Sequence, residues 1–250
     1  MLYLNIAFLR AGKLRWRNAF WPKATVRNAS LQRQDFCLTF RMIKLVIIDF
    51  DDTLSLTEEA FFHIENHIAR EMGFAAMTRN AHQKNWGVPI RKAIVERIPG
   101  INPDVFLQKL GESLPEFAAS GKVDGITDIN IETLKELKSK GKHLAILTSR
   151  TIKEVKHLLD ENHHINRWIE KIYHADNLDY LKPDPRSFRQ CLVDFKIAPN
   201  EAVYIGDSIS DGISAKKAGL RFIASLESGL RSREDFRSVS VDFLPILFLK

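Results

Sequence analysis

Two aspartates set two apart, Asp49 and Asp51, follow directly on an apolar run, Ile43-Lys44-Leu45-Val46-Ile47-Ile48. Such a β-branched run reads as a buried parallel strand. The carboxylates then leave its carboxyl end, which is where open α/β sheets bind their ligands. On extended backbone, positions two apart point the same way, so both could face one small site. Like charges that close are costly unless a cation or a shared proton relieves them. The pair is therefore a candidate for metal binding and acid/base chemistry. A solvated turn after a strand would look the same, so other residues must decide.

Three later segments supply them. His143-Leu144-Ala145-Ile146-Leu147 is an apolar run that ends in Thr148-Ser149. Ala202-Val203-Tyr204-Ile205 ends in Gly206-Asp207-Ser208, with Asp211 four residues after Asp207. Between them Lys182 opens Lys182-Pro183-Asp184-Pro185, a stiff non-helical stretch. The chain thus brings carboxylates, a hydroxyl, an ammonium and more carboxylates to strand ends, in that order. Hydroxyl and ammonium groups suit phosphate, and carboxylates suit a hard cation.

On these four motifs the chain resembles the haloacid dehalogenase-like hydrolase superfamily, nearest to phosphatases with a helical cap inserted after the first strand. The resemblance covers roughly residues 42–240 and rests on Asp49-Phe50-Asp51-Asp52-Thr53, Thr148, Lys182, and Gly206-Asp207 with Asp211. It departs from the commonest form of the first motif at Asp52, where Gly is usual. The resemblance implies that Asp49 is a nucleophile forming an aspartyl-phosphate and that Asp51 is the general acid/base. It implies Mg²⁺ held by Asp49, the Asp51 carbonyl and Asp207. Thr148 and Lys182 would hold and neutralise the phosphoryl group, with Ser149 beside them. Asp211 has two readings. It could support the metal, or it could complete a helix-capping box with Ser208.

The implied activity is Mg²⁺-dependent hydrolysis of a phosphomonoester on a small phosphorylated metabolite. Within the superfamily, Asp51 argues against dehalogenases and phosphonatases, which lack an acid there. A phosphosugar mutase using the same residues stays open, as does a catalytically idle phosphate-binding or partner-docking protein.

The elements that must position these groups alternate. A helical pattern opens near Thr57, a plausible N-cap, and runs to Met72 with Gly73 as its stop. Further short helices are expected at 76–85, 89–98 and 103–119. No strand interrupts this block, so residues 57–121 read as a helical cap. Within it, Gly87-Val88-Pro89 with Lys84, Asn85, Trp86 and Arg91 resembles the substrate-facing loop of such caps, although an ordinary helix–helix turn would look alike. His63 and His67, four apart on a helix, read as a surface pair.

From Asp124-Gly125 strands and helices alternate again. They include a capping box at Thr151-Ile152-Lys153-Glu154, a short strand near Ile172-Tyr173, a helix from about Pro185 to Phe195 and strands ending at Ile205 and Ala224. An edge strand is possible at 239–243. The fold class is α/β: a Rossmann-like parallel sheet core, residues 42–56 and 122–250, with an inserted helical cap.

Composition bounds the rest. The 250 residues, 45% hydrophobic and 27% charged, describe an ordinary globular chain. Its longest apolar stretches fall short of about 18 residues, so no spanning segment is expected. Two cysteines, Cys37 and Cys191, do not make a disulfide framework and read as reduced thiols. The formal charge of +6 is unevenly placed: residues 1–41 hold eight of the 37 basic side chains and one of the 31 acidic ones. The remainder, with 29 basic and 30 acidic, is nearly neutral. The basic segment, with Trp16, Phe20 and Trp21, could bind nucleic acid, be a transit peptide, or be an extension outside the fold with the true start at Met42. The third reading is favoured. The expectation is a cytoplasmic enzyme, monomeric or weakly dimeric, with neither nucleic acid nor membrane as partner.

Overall fold

The structure, a computed structural model, describes residues 42–86, 90–120, 123, 125–237 and 239. The basic segment 1–41 with Cys37, the tripeptide Gly87-Val88-Pro89 and the expected edge strand beyond Val239 lie outside the described residues.

Among the described residues, five parallel strands form one sheet in the order β3-β2-β1-β4-β5: β1 Leu45–Ile48, β2 His143–Leu147, β3 Lys171–Tyr173, β4 Ala202–Gly206 and β5 Arg221–Ala224. The central strand is buried along its whole length. Its side chains alternate between two cores, as the pleat requires. Val46 and Ile48 pack with Leu144, Ile146, Val203 and Ile205 on one face. Leu45 and Ile47 pack with Leu147, Tyr204, Phe188 and Phe222 on the other. From β1 the chain winds outward through β2 and β3, then returns to add β4 on the opposite side of β1. The strand order reverses there, and this opens a crevice at the carboxyl ends of β1 and β4.

Among the described residues, four helices lie between β1 and β2 before the chain rejoins the sheet: α1 Thr57–Glu71, α2 Arg79–Lys84, α3 Ile90–Arg97 and α4 Pro103–Ala119. They share an apolar core of their own around Ile64, Ile68, Ile94, Ile98 and Phe106. Thr57 is not the N-cap the sequence pattern gives. It lies inside the first turn, Leu56 holds the cap position without a side-chain bond, and Asp52 Oδ1 accepts the Glu58 N–H at 2.9 Å instead. A carboxylate from the preceding turn thus does the work of a local cap. Gly73 ends the helix with a positive φ of 82°, as expected. His63 and His67 are both exposed on α1, and His67 pairs with Glu71.

Among these helices lies a buried ionic cluster. His82 Nδ1 is 2.6 Å from Glu58 Oε1, Arg79 Nη2 is 2.5 Å from Glu58 Oε2, and Arg97 Nη1 donates to both Glu65 oxygens at 2.9 and 2.7 Å. Burial alone would pull the His82 imidazolium down, but the Glu58 and Glu65 carboxylates outweigh it and hold its pKa up.

After α5 (Asp128–Ser139) and β2, the Thr151 capping box forms as expected, but α6 covers only Ile152–Val155 and continues as a 3-10 turn over Lys156–Leu159. The buried pair Val155 and Leu158 is three apart, the eclipsed spacing of a 3-10 turn. Likewise Pro185–Phe188 is a 3-10 turn leading into α7, Arg189–Phe195. Helix α8 spans Ile209–Lys217. Cys191 is a buried free thiol that burial pushes up to about 12. Among the described residues no helix is long and apolar enough to cross a membrane.

The chain leaves the sheet and returns to it at one point. Leu56 N–H donates to Gly125 O at 3.0 Å, Gly125 N–H donates to Ser55 Oγ at 3.1 Å, and Ser55 bridges Ile126. A Cβ on Gly125 would lie 2.8 Å from the Leu56 carbonyl oxygen, and backbone there cannot yield without parting the two segments. Gly125→Ala should therefore destabilise the protein by about 2 kcal/mol, lowering the thermal midpoint by roughly 4–8 °C. Calorimetry of the two proteins checks this; an unchanged midpoint would show that the crossing is not tight.

Candidate active site

Register places the first carboxylate. Ile48 pairs with Ile205 across β1 and β4, and Asp49 N–H continues the ladder to Ile205 O at 2.8 Å. Its side chain therefore emerges beside Gly206-Asp207. Asp49 is buried, and its Oδ1 accepts the Phe50 N–H at 2.8 Å. Lys182 approaches from the loop after β3, with Nζ 2.9 Å from Asp49 Oδ1 and 3.1 Å from Asp211 Oδ1. The same ammonium donates to Tyr204 OH at 2.8 Å. Burial would pull Lys182 down, but Asp49 and Asp211 outweigh it and hold it above its usual range. Burial and the carboxylates of Asp49, Asp211 and Asp207 push the Tyr204 phenol well up, so it stays neutral.

Asp211 completes the expected capping box and also pairs with Lys182. Its Oδ2 accepts from Ser208 Oγ at 2.6 Å and from Ser208 N–H at 3.2 Å, completing the capping box of α8. Its Oδ1 serves Lys182. Gly206 makes this possible, since a Cβ there would stand 2.7 Å from Asp211 Oδ2.

Asp49, Asp207 and Asp211 each bring a carboxylate oxygen within 4.8 Å of the others. Burial raises Asp49 well above its ordinary pKa, with Lys182 opposing and Asp211 and Asp51 adding to the rise. Burial and Asp211 push Asp207 up to about 7. Carboxyls driven up by burial and by one another are relieved by a cation, and an all-oxygen donor set suits a hard divalent ion. The residues fit such an ion. Because both oxygens of Asp211 already serve protein donors, Asp49 and Asp207 are the better direct ligands.

Asp51 points elsewhere. Arg150 grips it, with Nε 3.0 and 3.1 Å from its two oxygens and Nη2 2.6 Å from Oδ1. The guanidinium also lies 4.9 Å from the Phe50 ring centroid. The sequence reading did not name Arg150. The available signal was its place one residue after Ser149, at the end of the strand beside β1. Thr148 is buried and its Oγ1 accepts the Arg150 N–H at 3.2 Å, which shapes the turn and leaves Ser149 at the cavity wall.

The cavity above these groups holds about 480 Å³, and Asp49, Asp51, Ser149, Lys182, Asp207 and Asp211 all line it. The expected cap residues Lys84, Asn85 and Arg91 do not line it. Lys84 is exposed, Arg91 pairs on the surface with Asp104, and Asn85 Oδ1 accepts from Arg97 Nε at 2.7 Å within the helices. Gln83 and Trp86 line the cavity instead, with Arg231 from the segment after β5. Gln83 and Trp86 are three apart in a helical turn, so they share a face and turn Lys84 and Asn85 away. Trp86 Nε1 donates to Asp52 Oδ2 at 2.7 Å. Burial pushes Asp52 up to about 6 against the pull of its Glu58 N–H and Trp86 bonds.

The family profile described as haloacid dehalogenase-like hydrolase matches residues 46–225. The chain is 31% identical over 139 residues to phosphoglycolate phosphatase 1 of Pseudomonas aeruginosa, a match covering 55% of this chain and about half, 51%, of that relative. It is 26% identical over 200 residues to phosphoglycolate phosphatase of Vibrio vulnificus, covering 73% of this chain and 83% of the relative. Among solved structures it is similar to a subfamily IA hydrolase from Geobacter sulfurreducens, with a TM-score of 0.61, 24% identity, and 73% of this chain and 87% of that one covered. It is also similar to CbbY from Rhodobacter sphaeroides in complex with xylulose-1,5-bisphosphate, with a TM-score of 0.58, 21% identity, and 80% and 92% covered. At these identities the solved structures speak to the fold alone. With the profile spanning most of the described sheet and all four motif positions, the chain belongs to the haloacid dehalogenase-like hydrolases.

Proposed function

We propose that this protein is a Mg²⁺-dependent phosphomonoesterase acting on a small phosphorylated metabolite through an aspartyl-phosphate at Asp49. The observation that carries this reading is the buried Asp49 carboxylate held 2.9 Å from Lys182, with Asp207 and Asp211 beside it. A phosphate entering a site so rich in carboxylates needs positive charge, and Lys182 supplies part of it. Asp49 and Asp207 would hold Mg²⁺, which would supply the rest and shield the incoming phosphate from the attacking carboxylate.

The remaining steps fall to the chain's own groups. An Asp49 oxygen attacks phosphorus in line as the P–O bond to the leaving group breaks. Asp51 gives its proton to the departing oxygen, then takes one from the water that attacks the aspartyl-phosphate, releasing phosphate and restoring Asp49. Arg150 holds both Asp51 oxygens, so Asp51 leaves Arg150 before it reaches the leaving oxygen. Ser149 lies at the wall where a phosphoryl oxygen would sit. In this reading, residues 57–121 act as the cap over a core formed by 42–56 and 122–250.

The relatives named phosphoglycolate phosphatase make 2-phosphoglycolate the first compound to try, in a panel with sugar phosphates. Phosphate release from any panel member that needs Mg²⁺ supports the reading. Phosphoryl transfer between sugar hydroxyls without release would favour a mutase, and no turnover at all would favour an idle docking protein.

Asp49→Asn should fold normally and lose turnover by about 10³-fold or more, because the amide cannot form the acyl-phosphate. Phosphate release at the wild-type rate by the folded variant would sink the mechanism. Asp51→Asn should slow alkyl phosphates by roughly 10²–10⁴-fold. With an activated aryl phosphate, whose leaving group needs little protonation, the second step should stall. Mass spectrometry of quenched enzyme should then show more phospho-Asp49 than in wild type. Gly206→Ala should displace Asp211 from Lys182 and cost at least about tenfold in kcat. Steady-state kinetics on the best panel substrate would reveal an unaffected variant.

A further inference from the structure

Asp52 stands where the superfamily's usual residue is Gly, and its backbone keeps the conformation glycine favours, with φ at +53°. Asp takes that region more readily than most residues but less freely than Gly. The carboxylate must therefore offer something that glycine does not. It is buried at 3% exposure, and its two oxygens reach two separate segments of the helical block. Oδ1 accepts the Glu58 N–H in the first turn of α1. Oδ2 accepts Trp86 Nε1 just past α2. One side chain from the turn after β1 thus binds the first turn of α1 and the segment just past α2.

Trp86 is held from its other sides as well. Its ring lies 5.2 Å from that of His82 and 6.2 Å from that of Phe61, and the Arg97 guanidinium stands 6.0 Å away. His82 and Arg97 are in turn fixed by Glu58 and Glu65. The indole is therefore a rigid wall with one polar atom, and that atom is spent on Asp52.

We infer that Asp52 and Trp86 form a latch that draws the helical overhang onto the sheet and sets the room available to the substrate's leaving group. The inference rests on the phosphatase reading for its kinetic part and on geometry alone for the contact itself. Both residues act by positioning. Neither exchanges a proton or a bond with the phosphate.

The test is a double-mutant cycle on the full chain with Asp52→Gly, Trp86→Phe and the double variant. Glycine suits the backbone at position 52, so a loss there reports on the carboxylate. Trp86→Phe keeps an aromatic wall and removes only the donor. Each single variant should raise KM for a compact metabolite ester on the order of tenfold, the worth of one hydrogen bond to a charged acceptor, with kcat changed less. Bulky phosphomonoesters should gain relative to compact ones. The double variant should be no worse than Asp52→Gly alone, because once the Oδ2 acceptor is gone the indole donor has nothing further to lose, while the Glu58 N–H bond is missing from both. Asp52→Asn, which keeps an acceptor oxygen and tolerates the same backbone, should recover part of the loss. Effects that multiply in the double variant, or an unaltered preference between compact and bulky esters, would overturn the latch.

A second readout is independent of turnover. Asp52→Gly should shift tryptophan emission in the wild-type background and leave it unshifted in the Trp86→Phe background; an equal shift in both would also overturn it. If the wild type released no phosphate from any ester, the phosphatase reading would fail while the emission test would still decide the contact.

Discussion

The placement of one ammonium group governs the arrangement. Lys182 sits among Asp49, Asp211 and Tyr204 OH, each within 3.1 Å of its Nζ. Without it, the carboxylates gathered at the ends of β1 and β4 would repel one another in a poorly solvated crevice. With it, Asp49 is held against the sheet and Asp211 is anchored between two tasks. The sheet order is the complement of this requirement. It brings the end of β1 between those of β2 and β4, so groups far apart in sequence share one small volume. Tyr204, buried and neutral, gives Lys182 a third acceptor without adding another charge.

The helices above the crevice solve a different problem in a similar way. Their shared core is small, and it encloses Glu58, Glu65, His82 and Arg97, all nearly inaccessible. A buried ionic group contributes little net stability over an apolar one, but removing one partner costs a great deal. The cluster fixes the position and orientation of α1, α2 and α3 relative to one another. Through His82 and Arg97 that order extends to Trp86 and so to the wall of the cavity. Asp52 ties the turn after β1 to this second network, through the Glu58 N–H and Trp86.

Much of this was legible in the chain. Runs such as His143–Leu147 and Ala202–Ile205 are short and largely apolar, and each became a strand with nearly the expected limits. The polar residue that ends each run is the one found in the crevice or in the turn that shapes it. What could not be read were contacts that depend on the approach of separate elements. Arg150 pairs with Asp51 across 99 positions of sequence, and no local spacing encodes that. Helical phase decided which of residues 83–86 faces the cavity, and with only a short helix there the pattern was too brief to show it. Asp52 was visible as a departure from a familiar motif, but its partner lies 34 residues away. Thr57 is not the cap because the helix already includes it, and a longer-range carboxylate, Asp52, serves an N–H of that first turn.

The crossing of Leu56 and Gly125 carries an implication for how such a chain diversifies. Both ends of the helical insertion meet the sheet at a single seam, joined by backbone bonds and a serine hydroxyl. Whatever lies beyond that seam can lengthen, shorten or be replaced wholesale without altering the register of a single strand. The groups gathered at the strand ends and the helices above them are thereby free to drift at different rates. One arrangement of carboxylates and ammonium can then be inherited intact while its roof changes.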